Sequence, residues 1–121
     1  MAVRVDQQLG QGVDLTMTGH SLGGGLASAA SMATGRSAVT FNPAELNCMW
    51  ATQRGFPGRK TVSYSVAGEV LTGAQDFSLL LVPAWQRFEL EPAKDDAGAD
   101  PVTLHKMPAV LHALELPVPG L

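Results

Sequence analysis

A serine between two glycines is the feature of this chain best suited to chemistry. Residues 19–23 read Gly-His-Ser-Leu-Gly, which has the G-x-S-x-G form of a nucleophile elbow. Such an elbow is a sharp strand-to-helix turn that exposes the serine hydroxyl, and its tight backbone favours glycine on both sides. Alternating apolar residues precede the motif and a segment rich in Ala, Gly and Ser follows it, as a strand and a helix would. We therefore predict that Ser21 is a nucleophile.

An imidazole is needed beside Ser21, because a serine hydroxyl is a weak nucleophile at neutral pH. His20 adjoins the serine, so its side chain leaves the elbow in another direction. His112 lies opposite the apolar face of a predicted helix, where we expect it to be solvated. His105 stands where the loop after the last predicted strand meets that helix. We predict His105 as the general base, with a local hydrogen bond at a helix start as its alternative role.

A carboxylate is needed to fix the tautomer of that histidine and to stabilise its imidazolium form. Glu69 directly follows a predicted strand and is the first choice. Asp76, further along the chain, remains open as the alternative. Three more aspartates lie in a polar loop and are interpreted as solvated turn residues: Asp95, Asp96 and Asp100. The choice of Ser21, Glu69 and His105 gives the chain order nucleophile, acid, histidine.

The elements that must position these residues alternate between strands and helices. Predicted strands cover Val13–Thr18, Ala38–Phe41, Thr61–Ala67 and Gln86–Leu90. Predicted helices cover Ala2–Gln11, Leu22–Thr34 and Lys106–Leu116, with a helical turn after Pro43 and an exposed loop over Pro92–Pro101. This alternation predicts an α/β fold with about four mostly parallel strands and flanking helices, in which functional groups collect at the carboxyl ends of the strands.

Composition excludes several classes of function. The 121 residues carry a net charge of −3 and their lysines and arginines are scattered, so no nucleic-acid partner is expected. No apolar stretch is long enough for a transmembrane segment, and the first ten residues lack the apolar core of a signal peptide. We expect a single domain over residues 1–121. A cytoplasmic location is the default, with signal-independent export as the alternative.

Residues 15–27, Leu-Thr-Met-Thr-Gly-His-Ser-Leu-Gly-Gly-Gly-Leu-Ala, resemble the nucleophile segment of class 3 lipases and related bacterial phospholipase-like proteins. Val39–Pro43 is similar to the next strand and turn of that family. Tyr64–Leu71 is similar to the strand and turn that carry its catalytic acid, and His105–Met107 to the segment that carries its histidine. The family more often has aspartate where Glu69 stands. The resemblance covers most of the chain and implies the carboxyl-terminal part of a lipase-like α/β-hydrolase domain.

The resemblance implies a serine ester hydrolase of the lipase or phospholipase type, acting on a lipid or other ester through an acyl-enzyme. In that chemistry Ser21 attacks the acyl carbonyl, His105 moves the proton, and Glu69 orients His105. The backbone N–H of Leu22 is the donor to the oxyanion that the motif implies. No metal or organic cofactor is expected.

The resemblance also implies that strands preceding the elbow in the family are lacking here, together with the loop that supplies a second oxyanion donor. The strand before the elbow would then lie at a sheet edge, where a second copy or another chain can pair. An inactive hydrolase fragment, or a module that a partner chain completes, is therefore the alternative to an active hydrolase.

Overall fold

A parallel sheet with helices packed against it forms the body of the molecule. The computed structural model describes residues 2–10, 12–44, 46–47, 61–70, 81–82 and 86–116. The elements are α1 (Ala2–Leu9), β1 (Thr16–His20), α2 (Leu22–Thr34), β2 (Ser37–Phe41), β3 (Leu46–Asn47), β4 (Thr61–Val66), β5 (Leu81–Val82), β6 (Gln86–Leu90), one turn of 3₁₀ helix (Lys94–Asp96), α3 (Pro101–His105) and α4 (Met107–Ala113).

The four longer strands form one sheet in the order β1-β2-β4-β6, and every neighbouring pair is parallel. The two-residue strands β3 and β5 form a separate antiparallel pair. The predicted α/β fold with about four mostly parallel strands is confirmed. Because the four strands run in the same direction, the segments that follow β1, β2 and β4 all emerge at the carboxyl end of the sheet. Functional side chains collect at that end in such folds.

Small residues let α2 approach the sheet and the loop after β2. A β-carbon on Gly24 would lie 2.8 Å from the β-carbon of Pro43, and one on Gly25 would lie 2.5 Å from the carbonyl oxygen of Ala44. Helix α2 packs against both β1 and β2. It ends at Gly35, whose φ of 75° is the left-handed conformation that a C-cap glycine adopts readily.

A cluster of buried apolar residues anchors the last two helices. Val66 at the end of β4, Leu104 in α3 and Val110 in α4 are buried against one another. Phe41 and Leu90 pack on the same cluster from neighbouring strands. The carboxyl end of the sheet and the helix that ends at His105 therefore share one apolar core.

Arg36 ties the first helix to the sheet. Its Nε donates to Oδ1 of Asp6 at 2.5 Å, and its Nη2 donates to the carbonyl oxygen of Gly10 at 2.5 Å. Its Nη1 donates to the carbonyl oxygen of Val13. One guanidinium thus holds the end of α1 and the segment before β1 against the start of β2.

Several predicted boundaries were wrong for identifiable reasons. The strand before the elbow begins at Thr16 rather than Val13, and Leu46, which was predicted in a helical turn after Pro43, lies in strand β3. The predicted final helix, Lys106–Leu116, corresponds to α4, which is shorter at both ends, and α3 before it was not predicted. The two helices are separated at Lys106, whose backbone is extended (φ −72°, ψ 152°). Pro108 has no N–H to bond to the carbonyl four residues back, so a continuous helix cannot form its regular ladder there.

The loop predicted over Pro92–Pro101 is more ordered than expected. It contains the 3₁₀ turn, and its last aspartate caps α3. The Asp100 carboxylate accepts hydrogen bonds from the backbone N–H groups of Val102 and Thr103, each at 3.0 Å. A polar loop before an apolar helix is where an N-cap residue belongs, so the aspartate that looked solvated has a local structural role.

Candidate active site

Ser21 occupies a strained position between β1 and α2. Its φ of 56° and ψ of −124° lie in a region that non-glycine residues rarely adopt. Its N–H donates to the carbonyl oxygen of Phe41 at 3.1 Å, and its own carbonyl oxygen accepts from Gly25 at 3.1 Å and Ala44 at 2.9 Å. These bonds hold the turn on both sides. The Ser21 hydroxyl makes no capping bond to α2 and is directed elsewhere.

The glycine requirement of the elbow differs between its two sides. A β-carbon on Gly19 would overlap the backbone carbonyl of Gly23, as the motif predicts. A β-carbon built on Gly23 meets no atom within 4 Å outside its chain neighbours and the backbone of its own helix, so this flanking position has room for at least a methyl group. Gly23 is exposed on the first turn of α2. The close approaches on that side are made by Gly24 and Gly25 instead.

The structure places Ser21, His105 and Glu69 in one hydrogen-bonded chain. Nε2 of His105 lies 2.8 Å from Oγ of Ser21, and Nδ1 of His105 lies 2.5 Å from Oε2 of Glu69. A carboxylate can only accept, so Nδ1 carries the proton and Nε2 is left to accept from the serine hydroxyl. The Glu69 side chain is 0% exposed and that of His105 is 17% exposed. A nearly dry carboxylate thus faces an imidazole that solvent can still reach.

A tight turn after β4 places the Glu69 side chain within hydrogen-bonding distance of His105. The N–H of Glu69 donates to the carbonyl oxygen of Val66 at 3.2 Å. Gly68 lies within the turn at a φ of 85°, which a residue with a side chain adopts only with strain. The alternative acid, Asp76, lies outside the described residues.

Two side chains that the sequence did not single out for this site hold the backbone of His105. Nε2 of His20 donates to the carbonyl oxygen of His105 at 2.6 Å, and Nδ2 of Asn42 donates to the same oxygen at 2.9 Å. Asn42 also donates to the carbonyl oxygen of Leu104 at 3.2 Å and accepts from the N–H of Val66 at 2.8 Å. The sequence predicted that the His20 side chain leaves the elbow in another direction from Ser21, but it carried no signal for the contact of His20 with His105.

The remaining candidates lie outside this chain of hydrogen bonds. Nδ1 of His112 lies 2.8 Å from Oδ2 of Asp96 and both side chains are partly buried, so the prediction that these two are solvated was wrong. Helix α4 turns that histidine back towards the 3₁₀ turn rather than into solvent. Asp95 is exposed, as expected. The side-chain and backbone hydrogen bonds from Thr103 hold the pKa of the Asp100 carboxyl below its ordinary value.

Leu22 is the first residue of α2, so its N–H has no carbonyl partner within the helix. It directly follows Ser21, which puts this donor at the turn that presents the serine hydroxyl.

Within the described ranges, no group of three or more His, Cys, Asp or Glu side chains is arranged to hold a metal ion. None of the helices among those residues is long and apolar enough to cross a membrane.

Comparison with known proteins decides the family. Residues 1–109 match the model of the Tle-like phospholipase domain, a phospholipase-like family. The chain belongs to this phospholipase-like family. It is also 36% identical over 66 residues to a protein described as extracellular phospholipase A1 from Serratia liquefaciens. That alignment covers 54% of this chain and 21% of the Serratia protein, so the chain spans about a fifth of that relative's length. The predicted resemblance to bacterial phospholipase-like proteins is confirmed.

Proposed function

We propose that this chain carries the catalytic residues of a serine hydrolase that cleaves carboxylic esters of lipids. The observation that supports this most directly is the continuous hydrogen-bond chain from Ser21 through His105 to Glu69. Membership of a phospholipase-like family supports the same class of reaction. The strained backbone at Ser21 is a second support, because strain of this kind clusters at functional sites.

In the first half of the reaction, Oγ of Ser21 forms a bond to the acyl carbon while Nε2 of His105 takes the hydroxyl proton. The carbonyl oxygen becomes an oxyanion that the N–H of Leu22 stabilises. Glu69 stabilises the imidazolium that forms. The bond between the acyl carbon and the alcohol oxygen then breaks, and the alcohol leaves with the proton from His105.

In the second half, a water molecule gives one proton to His105 and attacks the acyl-enzyme carbonyl. The ester bond to Ser21 breaks, the serine recovers the proton from His105, and a carboxylic acid leaves. The proton transfers between Ser21 and His105 use two side chains that already lie 2.8 Å apart, which is the benefit of holding reacting groups in position before the reaction.

Apolar surface beside the nucleophile supports a lipid substrate. Leu22 is 69% exposed and Leu26, one turn along the same face of α2, is 64% exposed. Val70, next to Glu69 in the chain, is also exposed. Leu22 and Leu26 lie together on one helix face, and contiguous exposed apolar surface can mark a binding site. An acyl chain is a ligand that such a surface can contact.

A fluorophosphonate probe tests the proposal, because it reacts with an activated serine. We expect the wild-type chain to be labelled at Ser21 and the Ser21→Ala variant to remain unlabelled, with the site read by mass spectrometry. Ser37→Ala is the matched control, since Ser37 is an exposed serine at the start of β2. Equal labelling of wild type and Ser21→Ala would reject the proposal.

A second candidate is a module that is inactive alone and is completed by a partner chain. The position of β1 favours it, because β1 lies at one edge of the sheet formed by the described strands. A strand edge offers unpaired backbone groups to another strand. Ester hydrolysis by the purified chain separates the two candidates. Light scattering tests the association itself, and a monomer at high protein concentration would contradict it.

A further inference from the structure

We propose that Asn42 and His20 are positioning residues that hold the general base through its main chain. Both side chains donate to the carbonyl oxygen of His105, Asn42 at 2.9 Å and His20 at 2.6 Å. In the mechanism above, both hydrogen bonds act on the main chain of His105 and not on the ring nitrogens that move the proton. The inference rests on the proposed function, because it assigns them the task of fixing the distance between Ser21 and His105.

The need for these donors comes from the break between α3 and α4. In a continuous helix the carbonyl of Leu104 would accept from residue 108, which is a proline without an N–H. The carbonyl of His105 would accept from Ala109, but that N–H donates to the carbonyl oxygen of Lys106 at 3.1 Å instead. The last two carbonyls of α3 therefore depend on partners from outside the helix, and an unpaired buried carbonyl is costly.

Asn42 supplies a partner to both carbonyls from a fully buried position. It is 0% exposed and has a φ of 42°, a conformation that asparagine tolerates better than most residues. Its Nδ2 reaches the carbonyl oxygens of Leu104 and His105, while its Oδ1 accepts from the N–H of Val66. One amide therefore joins the ends of β2, β4 and α3. The proposed acid, Glu69, follows β4, and the proposed base, His105, ends α3. The Asn42 amide therefore fixes the position of one relative to the other.

His20 connects the base to the elbow by a short path. It precedes Ser21 in the chain, and its Nε2–H reaches the main chain of His105. The two imidazole rings lie near each other, with centroids 5.1 Å apart and planes tilted by 39°. A displacement of His105 away from the serine would break this bond. The bond from His20 therefore opposes the movement that would separate the nucleophile from its base.

The decisive experiment compares His20→Gln with His20→Leu. The amide nitrogen of glutamine can stand in for Nε2 as a donor, whereas leucine has similar bulk and no donor. We expect His20→Leu to lower kcat for a soluble ester by about 10- to 100-fold with little change in KM, because small misplacements of a base cost rate rather than binding. His20→Gln should restore kcat to within about threefold of wild type, as expected when one hydrogen bond is kept. His112→Leu is the matched control histidine and should leave kcat unchanged.

Asn42→Asp tests the second donor. Aspartate keeps the shape, the tolerance for positive φ and an acceptor for Val66, but its carboxylate cannot donate to the two carbonyls. We expect a fall in kcat of similar size, with a far-ultraviolet spectrum like that of wild type. Wild-type kcat in both His20→Leu and Asn42→Asp would overturn the proposal. So would a loss that His20→Gln fails to restore.

A spectroscopic readout separates this proposal from the proposed function. The proton on Nδ1 of His105 is held by Glu69 and should give a downfield proton resonance in the wild-type chain. We expect that resonance to broaden in His20→Leu and to persist in His20→Gln, whether or not the chain hydrolyses esters. If labelling of Ser21 fails while this pattern holds, the hydrolase proposal falls and the positioning role stands. An unchanged resonance in His20→Leu would count against the positioning role alone.

Discussion

At the scale of single residues, the site concentrates its strain at Ser21. A residue held in such a sparsely populated backbone region costs on the order of 1–3 kcal/mol. The hydrogen bonds from its backbone to Phe41, Gly25 and Ala44 offset that cost. The main chain of Ser21 therefore orients the proposed nucleophile and leaves its hydroxyl available to His105.

The two glycines of the motif should respond oppositely to alanine. Gly19→Ala forces a β-carbon into the carbonyl of Gly23, so we expect a loss of about 1–3 kcal/mol or more in the free energy of unfolding. Gly23→Ala meets open space in a helix and should raise that free energy by about 0.5–1 kcal/mol. Urea unfolding of the two variants measures both effects. A lower free energy of unfolding in Gly23→Ala would contradict the open space found beside Gly23.

The carboxylate beside His105 should matter for rate more than for folding. Glu69→Gln keeps the shape of the side chain but loses the charge that favours the imidazolium and the correct tautomer. We expect kcat for ester hydrolysis to fall by about 10²–10⁴. Asp76→Asn, which changes the alternative acid that the sequence leaves open, should leave kcat near wild type. The reverse result in steady-state assays would make Asp76 the acid.

At the scale of elements, α3 is too short to be stable alone and depends on its surroundings. Its five residues begin at the Asp100 cap, bury Leu104, and end at the carbonyls that Asn42 and His20 bind. Each contact fixes one part of a helix whose last residue is the proposed base. The orientation of His105 is therefore a property of the whole element.

The cap at Asp100 predicts a pH dependence. Hydrogen bonds from Thr103 hold the pKa of this carboxyl below its ordinary value of about 4. Its contribution to stability is therefore fully present above that ordinary value and is lost as the pH falls through the lower pKa of the folded state. We expect Asp100→Ala to lower the thermal midpoint at neutral pH and to have a smaller effect at acid pH. Asp95→Ala, at an exposed position on the preceding turn, is the control. An equal loss at both pH values would contradict this assignment.

At the scale of the whole molecule, the side chain of Arg36 links helix α1, the segment before β1 and the start of β2. The Arg36 guanidinium makes three hydrogen bonds at once, to Asp6, Gly10 and Val13. A lysine ammonium lacks the planar arrangement of N–H donors that these three bonds need. We expect Arg36→Lys to lower the free energy of unfolding by about 1.5–3 kcal/mol, in line with hydrogen bonds to charged groups. The kcat of ester hydrolysis should change little at temperatures where the variant is folded. Denaturant titration measures the first effect, and a wild-type midpoint would contradict it.

Local patterns in the sequence predicted most of the fold. They also predicted the three residues that the structure joins by hydrogen bonds, which are Ser21, His105 and Glu69. Strand alternation and the run of small residues identify β1 and α2, and β-branched residues identify β4. Helix α3 was missed because its five residues are too few to show a helical periodicity. His20 and Asn42 were missed because their partners lie 85 and 63 residues away in sequence. Such contacts depend on how the strands are ordered in the sheet, and no short spacing encodes that order.

The register of the sheet gives the molecule a built-in reporter. Phe41, Tyr64 and Phe88 stand opposite one another on three adjacent strands, and the ring of Tyr64 stacks between the other two. Tyr64 is the only tyrosine in the sequence. Biosynthetic replacement with fluorotyrosine would therefore yield a single fluorine resonance. Because Phe41 directly precedes Asn42, that one signal would register rearrangements at the carboxyl end of the sheet without any label in the proposed site itself.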